Sequence, residues 1–316
     1  MLPKCVFESV PEICGAFHEK MQFLTLTGSF AVNEETFASG KYLSDIDYYV
    51  VLRKTASESE CKLIAKNLKL KLNECASIPK SIWVVSYDNF YNSDSFDTLS
   101  PYQVAETNIV LFGSPSCLDS VKNKTIKFNS HVGLYGVACM HLLNGIDKSN
   151  IISLIKGTYE QIGVWLISRQ KYRTKYADRL DSFMTEFPKF AYMYDLLIEL
   201  INIKKTFDEL KFYKLFNTMA AYYEFVKPLF DIKNIGYIFG VESTVKSLCE
   251  RIVNSSKERY VRASYIAYLY GDFDLANKYC MATQSNTQLN DRLLDRINYA
   301  WSSWLQSEGV FEANNY

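Results

Sequence analysis

Thr27-Gly28-Ser29-Phe30 and, after a loop, Ser44-Asp45-Ile46-Asp47-Tyr48 are the stretches on which the reading of this chain turns. The first closes a β-rich run, Phe23-Leu24-Thr25-Leu26-Thr27. The second opens another, Asp47-Tyr48-Tyr49-Val50-Val51-Leu52, rich in β-branched and aromatic residues. A glycine after a strand lets the backbone come close to a ligand. Ser29 adds a hydroxyl and an amide for a phosphate oxygen, and a helix or turn starting there adds free amides that favour an anion. Two aspartates one residue apart face the same side of a strand, because side chains alternate with a period of two. Asp45 and Asp47 can therefore hold Mg²⁺ against a triphosphate, since Mg²⁺ takes hard oxygen ligands and borrows substrate phosphates. Each half alone has a plain alternative: a strand-ending turn, and solvated carboxylates at a strand edge. Their pairing in order is what points to a metal and nucleotide site.

Outward from this core, residues 8–20 have helical character. Ser57 to Ala76 reads as an amphipathic helix, opened by a capping box of Ser57 and Glu60. Ile82 to Tyr87 is a third strand. Asn108 to Phe112 is a fourth, closed by Gly113-Ser114-Pro115. From about residue 117 the period changes to that of helices, expected near 130–145, 150–169, 175–186, 189–203, 206–226, 240–254, 257–270, 273–282 and 287–306. The stretch Ala267-Tyr268-Leu269-Tyr270-Gly271-Asp272-Phe273 is similar to one turn of a tetratricopeptide unit, but no spacing repeats along the chain. The expected organisation is α+β: a mixed sheet with flanking helices over residues 1–124, then an all-α domain over 125–316.

The Gly-Ser turn followed by Ser-Asp-x-Asp resembles the nucleotidyltransferase superfamily, which includes DNA polymerase beta, kanamycin nucleotidyltransferase and the minimal bacterial nucleotidyltransferases. The resemblance covers roughly residues 20–115. It implies transfer of a nucleoside monophosphate from a nucleoside triphosphate to a hydroxyl, with Mg²⁺ (or Mn²⁺) on Asp45 and Asp47 and the nucleotide on Gly28, Ser29 and Ser44. Three departures matter, the simplest being that no basic motif identifies a particular triphosphate. The segment Ala31–Leu43 looks like an insertion that either covers the nucleotide or forms a longer hairpin. Members also carry a third carboxylate on a later strand, a metal ligand and general base. Here that strand, Ser81–Tyr87, has no acid in its interior, Trp83-Val84-Val85, and Asp88 at its end is the nearby candidate. The plain reading of Asp88 is a turn residue capping Asn89-Phe90. Val110-Leu111-Phe112-Gly113-Ser114-Pro115 resembles the closing strand and turn of the minimal members.

The 316 residues are 48% hydrophobic, enough for one or two cores, and the formal net charge is zero. A neutral chain argues against a long nucleic-acid acceptor, so a small molecule, a sugar or a protein side chain is the expected acceptor. The most basic short run, Arg169 to Arg179, reads either as a solvated surface between helices or as a phosphate-facing patch. Arg53 and Lys54 read as a solvated strand end. The 8 Cys are scattered without a CxxC pair and the 3 His without metal spacing, so neither a zinc site nor a redox motif is expected. No apolar run is long enough to span a membrane and no signal-peptide h-region opens the chain, so a cytoplasmic protein without a membrane partner is expected. Two functional readings stand: an active nucleotidyltransferase, or a nucleotide-binding or scaffold protein that keeps the fold and has lost transfer. A third makes the motif coincidental in a helical interaction protein.

Overall fold

The computed structural model of the chain describes residues 4–57, 59–60, 63–67, 78, 80–91, 99–121, 126, 128–253, 259–283, 292–307 and 311–312. They form a small mixed sheet with flanking helices and a separate, wholly helical region. The two compact units are Met1–Lys127 with Leu305–Tyr316, and Phe128–Trp304.

The sheet of the first unit contains β1 (Met21–Thr27), β4 (Ile46–Leu52), β5 (Lys80–Val85), β6 (Val110–Phe112) and β7 (Phe311–Glu312), in the order β6-β1-β4-β5-β7. β1 is antiparallel to both β4 and β6, β4 is parallel to β5, and β7 is antiparallel to β5. The division expected after residue 124 assigned the last residues to the helices; β7 instead lies at the edge of this sheet. A two-stranded hairpin, β2 (Phe37–Ala38) and β3 (Lys41–Tyr42), fills the stretch read as an insertion.

Both faces of the sheet are covered, as its near-continuous apolar strands require. Leu24, Leu26, Ile46, Tyr48, Val50, Ile82 and Val84 pack on one side with Val6, Ile13, Phe30 and Ile64. Phe23, Tyr49 and Val51 pack on the other with Phe90, Val104, Leu118 and Val121. The Tyr48 hydroxyl, sent by β4 into one of these faces, donates to the Val6 carbonyl at 2.7 Å. The capping box forms as expected: the Ser57 amide donates to Glu60 and the Glu60 amide to the Ser57 hydroxyl. Residues 59–60 and 63–67 are helical, and the expected continuation over 68–76 lies outside the described residues.

In the second unit, the helix Ile151–Ile167 is buried on nearly every side, as an all-round apolar helix must be. It forms a hairpin with Phe128–Asp147, and the two backbones approach closely at Gly157, where a Cβ would meet the Leu142 nitrogen at 2.8 Å. The expected helix over 206–226 is two, Glu209–Phe216 and Met219–Val226. Asn217 takes a positive φ of 57° and the Thr218 hydroxyl then caps the second, accepting from the Ala221 amide. A helix absent from the sequence reading, Ile232–Phe239, is capped by Asp231 and ended by Gly240 at φ 62°. No helix among the described residues is long and apolar enough to cross a membrane. The cysteines Cys14, Cys117, Cys139, Cys249 and Cys280 are free.

One buried cation organises the turn between Ile151–Ile167 and Tyr176–Glu186. Arg179 is 1% exposed and uses all five N–H donors: on the carbonyls of Arg173, Tyr159 and Thr174, the Tyr172 hydroxyl and the Glu160 carboxylate. Its guanidinium also lies 4.6 Å from the Tyr172 ring centre and 5.1 Å from that of Tyr176. Arg179→Met strands these buried acceptors and the half-buried Glu160 carboxylate, and is expected to destabilise the chain by about 3 kcal/mol in chemical denaturation. Arg179→Lys is expected to recover only part of that loss, because three donors on a point charge cannot reproduce the fork.

His141 is a second stability determinant. The Ser153 hydroxyl donates to the His141 carbonyl at 2.9 Å, so its oxygen is left to accept from Nδ1–H at 3.2 Å. Burial, and then Lys156, push the imidazole pKa down to about 3. The unfolded chain therefore binds a proton below pH 6.5 that the folded chain refuses. The stability this residue supplies is full above pH 6.5 and lost as pH falls toward 3. His141→Gln is expected to flatten the decline of unfolding free energy over that window, by up to about 1.4 kcal/mol per pH unit. Denaturant titrations at stepped pH would show equal slopes if the ring titrated normally.

Candidate functional site

The end of β1 and the starts of β4 and β5 meet at one end of the sheet. In register, Thr27 lies beside Asp47 and Asp47 beside Ser81, so the three form a row across neighbouring strands. Below this row the same face turns apolar within one step, at Tyr49 and Trp83.

Gly28 begins a single-turn helix, Gly28–Ala31, at φ 67°. A Cβ built on it would stand 1.9 Å from Asp47 Oδ2, so the carboxylate lies against the bare Cα. This is a close approach that only glycine allows, and the left-handed backbone makes the same demand. Ile46 is fully buried between the two aspartates, which turns Asp45 and Asp47 together to the other side. Asp45 is held by the Ser81 hydroxyl, which donates to Oδ2 at 2.8 Å. Asp45, Asp47, Gly28 and Ser81 thus form one cluster, as the pairing of the two motifs suggests.

The other residues expected at the site fall differently. Ser29 is half-buried beside Gly28, and its carbonyl accepts the amides of Val32 and Glu34. One helical turn is too short to build a macrodipole for an anion, so any such contact rests on individual amides. Ser44 is buried, and its hydroxyl accepts the Thr36 amide at 2.8 Å. Its role here is to tie the hairpin loop down next to Asp45. Asp88 does not join the cluster. It is exposed in the first turn of the helix Tyr87–Tyr91, past the far end of β5. Since β4 and β5 are parallel, four strand residues from Ser81 to Val85 already separate it from Asp47 by about 13 Å. Arg53 donates from Nε to the Met21 carbonyl, as a strand-end residue would. In the basic run, Arg179 is a buried structural cation rather than a phosphate ligand.

The residue that sequence reasoning missed is Ser81. It lies beside Asp47 on β5, and the strand on which a third carboxylate was expected puts a hydroxyl there instead. Its signal was a polar residue at the very start of an apolar run, whereas the acid was sought in the run's interior. Two further oxygens are unusual. Glu35 Oε2 and Thr36 Oγ1, in the loop between the Ser29 and Ser44 anchors, are buried with no hydrogen-bond partner among the described residues. No group of three or more His, Cys, Asp or Glu side chains suited to a metal assembles among the described residues.

Compared with protein-family models, with curated proteins and with solved structures, the chain matches none.

The Gly28–Asp47 contact makes a direct test possible. Gly28→Ala is expected to cost about 3 kcal/mol, combining about 1–2 kcal/mol of left-handed strain with displacement of the carboxylate. In an Asp47→Ala background the same change should cost only the strain. The double-mutant cycle, read by denaturation, is expected to give a coupling of about 1–2 kcal/mol, and additive losses would mean that the two groups do not touch.

Proposed function

We propose that the first unit is a nucleotidyltransferase-type domain that binds a nucleoside triphosphate with Mg²⁺ and has lost, or nearly lost, transfer. The observation that carries this reading is the Asp47 carboxylate lying on the Cα of Gly28, with Asp45 alongside. A glycine turn pressed against paired carboxylates is an arrangement for bringing backbone, metal and phosphate within contact of one another. Two aspartates suit Mg²⁺, which commonly takes one or two carboxylates and completes its octahedron with water and substrate phosphates; Mn²⁺ would be accepted in its place. The orphaned Glu35 Oε2 and Thr36 Oγ1 in the adjoining loop are oxygens that a bound donor would satisfy. When bound, the ion would offset charge on the triphosphate and orient its α-phosphate. Asp45 and Asp47 would hold it, with Gly28 and Ser29 against the β- and γ-phosphates.

Ser81 favours the inactive form of this reading. A serine hydroxyl donating to Asp45 neither binds a second metal strongly nor takes a proton from an attacking hydroxyl at neutral pH. Asp88 is too far along the sheet to replace it. The active alternative moves a nucleoside monophosphate to a small-molecule, sugar or protein hydroxyl. It needs an acceptor that reacts without a carboxylate base from β5.

Calorimetric titration of ATP, GTP, CTP and UTP with Mg²⁺ tests the proposal. The full chain is expected to bind at least one triphosphate in an Mg²⁺-dependent way. Asp45→Asn/Asp47→Asn is expected to abolish that binding, and Ser81→Asp to lower the Mg²⁺ concentration needed for it. Absence of Mg²⁺-dependent binding by the unmodified chain would sink the proposal. Pyrophosphate release in the presence of an acceptor would restore the transferase reading.

A further inference from the structure

β7 follows the helical unit in sequence and returns to the sheet that carries the candidate site. It is antiparallel to β5, with Phe311 beside Ile82 and Glu312 beside Ser81. It belongs to the same compact unit as the site, although residues 128–304 separate the two parts of that unit in sequence. Residues directly opposite one another on neighbouring strands share a face. The row across the sheet is therefore Thr27, Asp47, Ser81 and Glu312, one position on each of four strands. With strands about 4.8 Å apart, the Glu312 backbone stands about 9.6 Å from that of Asp47, two spacings away. Two carboxylates can meet on one ion across that span, because each Mg²⁺–oxygen bond adds about 2.1 Å to the reach of the side chains.

The chemistry of the pairing agrees with its register. Ile82 belongs to the apolar cluster on one face, while Ser81 bonds Asp45 at the polar fringe of the other. A slip of one residue would exchange these places and set the acid on the apolar face. Lys80, the cation next to Ser81, pairs with Ile46 and so falls on the opposite face from the row. The row thus carries two acids, with Asp45 a third at its margin, and no base. Like charges gathered on one face of a sheet oppose folding unless something offsets them. Among the described residues no three such side chains already converge on a point. Acids spaced by strands leave that gathering to a bound ion. An independent sign of a bound group comes from the loop tied to Ser44, immediately before Asp45. Thr36 there is fully buried, and its hydroxyl oxygen has no partner among the described residues.

We propose that Glu312 is a further ligand to the Mg²⁺ held by Asp45 and Asp47, so that ion binding and the docking of β7 on the sheet edge support each other. The inference rests on the nucleotide-site reading above and adds to it a residue from beyond the helical unit. Ser81 cannot supply the same hold, because a neutral hydroxyl neutralises none of the charge of a hard dication. The coupling is reciprocal: what the ion gains from Glu312, the docked strand gains from the ion. Occupancy of the site is thereby read out at the edge of the sheet.

Two measurements on the full chain test it: Mn²⁺ binding by paramagnetic resonance, without triphosphate, and amide hydrogen exchange at residues 311–312 with and without Mg²⁺. Glu312→Gln is expected to weaken Mn²⁺ binding at least about tenfold, and Glu312→Asp to recover part of the loss. Asp45→Asn/Asp47→Asn is expected to abolish binding. Mg²⁺ should slow exchange at 311–312 in the unmodified chain and leave it unchanged in Glu312→Gln. Glu308→Gln, which removes the same charge from the same part of the chain, should alter neither readout. Unmodified Mn²⁺ affinity in Glu312→Gln, with binding still lost in Asp45→Asn/Asp47→Asn, overturns the proposal and leaves the nucleotide-site reading standing. Exchange at 311–312 indifferent to Mg²⁺ also overturns it. Faster exchange in Glu312→Gln without metal would give the residue a structural role and overturn it as well. No Mn²⁺ binding by the unmodified chain overturns it too, and the calorimetric titration above then decides whether the nucleotide-site reading falls with it.

Discussion

β4 has no side open to water. It is hydrogen-bonded to β1 along one edge and β5 along the other, and both its faces are packed into apolar clusters. Charged groups can survive on such a strand only where the cover ends, because a buried carboxylate without partners costs several kcal/mol. Asp45 and Asp47 stand at that margin. The neighbouring strands adapt to them: β1 is followed at once by a glycine, with no side chain to obstruct Asp47, and the second residue of β5 carries a hydroxyl that reaches Asp45. The chemistry of the candidate site is thus confined to the short polar fringe of an otherwise apolar layer.

The helical unit uses charge in a different way. Arginine is suited to burial when its fork meets several acceptors at once, and Arg179 finds them on the preceding helix and on the segment that joins it to its own. The basic residues just before it point outward from the backbone it fixes. One short run of sequence therefore contains both a structural cation, on a helix, and exposed cations, on the segment before that helix.

Much of this organisation was legible in the residues. The strands around Gly28 and Asp47, the capping box at Ser57 and most of the helices follow from periodicity and end signals. The helix Ile232–Phe239 was also legible in principle, since Asp231 and Gly240 bracket it. The break at Asn217 was not, because the residues on both sides keep a helical pattern while a single backbone angle redirects the chain. Ser81 and Asp88 show a deeper limit. Which residue of β5 lies beside Asp47 depends on a parallel register set by tertiary packing, across a connection of more than two dozen residues. An acid near the end of the right strand can therefore be at the wrong end of the sheet. The depth of Arg179 was hidden for the same reason: its partners Tyr159 and Glu160 lie on the preceding helix.

The hairpin between the two motifs is fastened at its feet and free of such duties at its tip. The Ser29 carbonyl and the Ser44 hydroxyl hold the feet, and Ser39 and Gly40, at φ 51° and 77°, make a tight two-residue turn of the kind that closes right-twisted hairpins. Neither turn residue is buried. Length and composition can therefore change at 39–40 without altering the anchors that set Asp45. In engineering terms the tip is a port: a fluorophore or short epitope grafted there would leave the supports of the carboxylate pair in place.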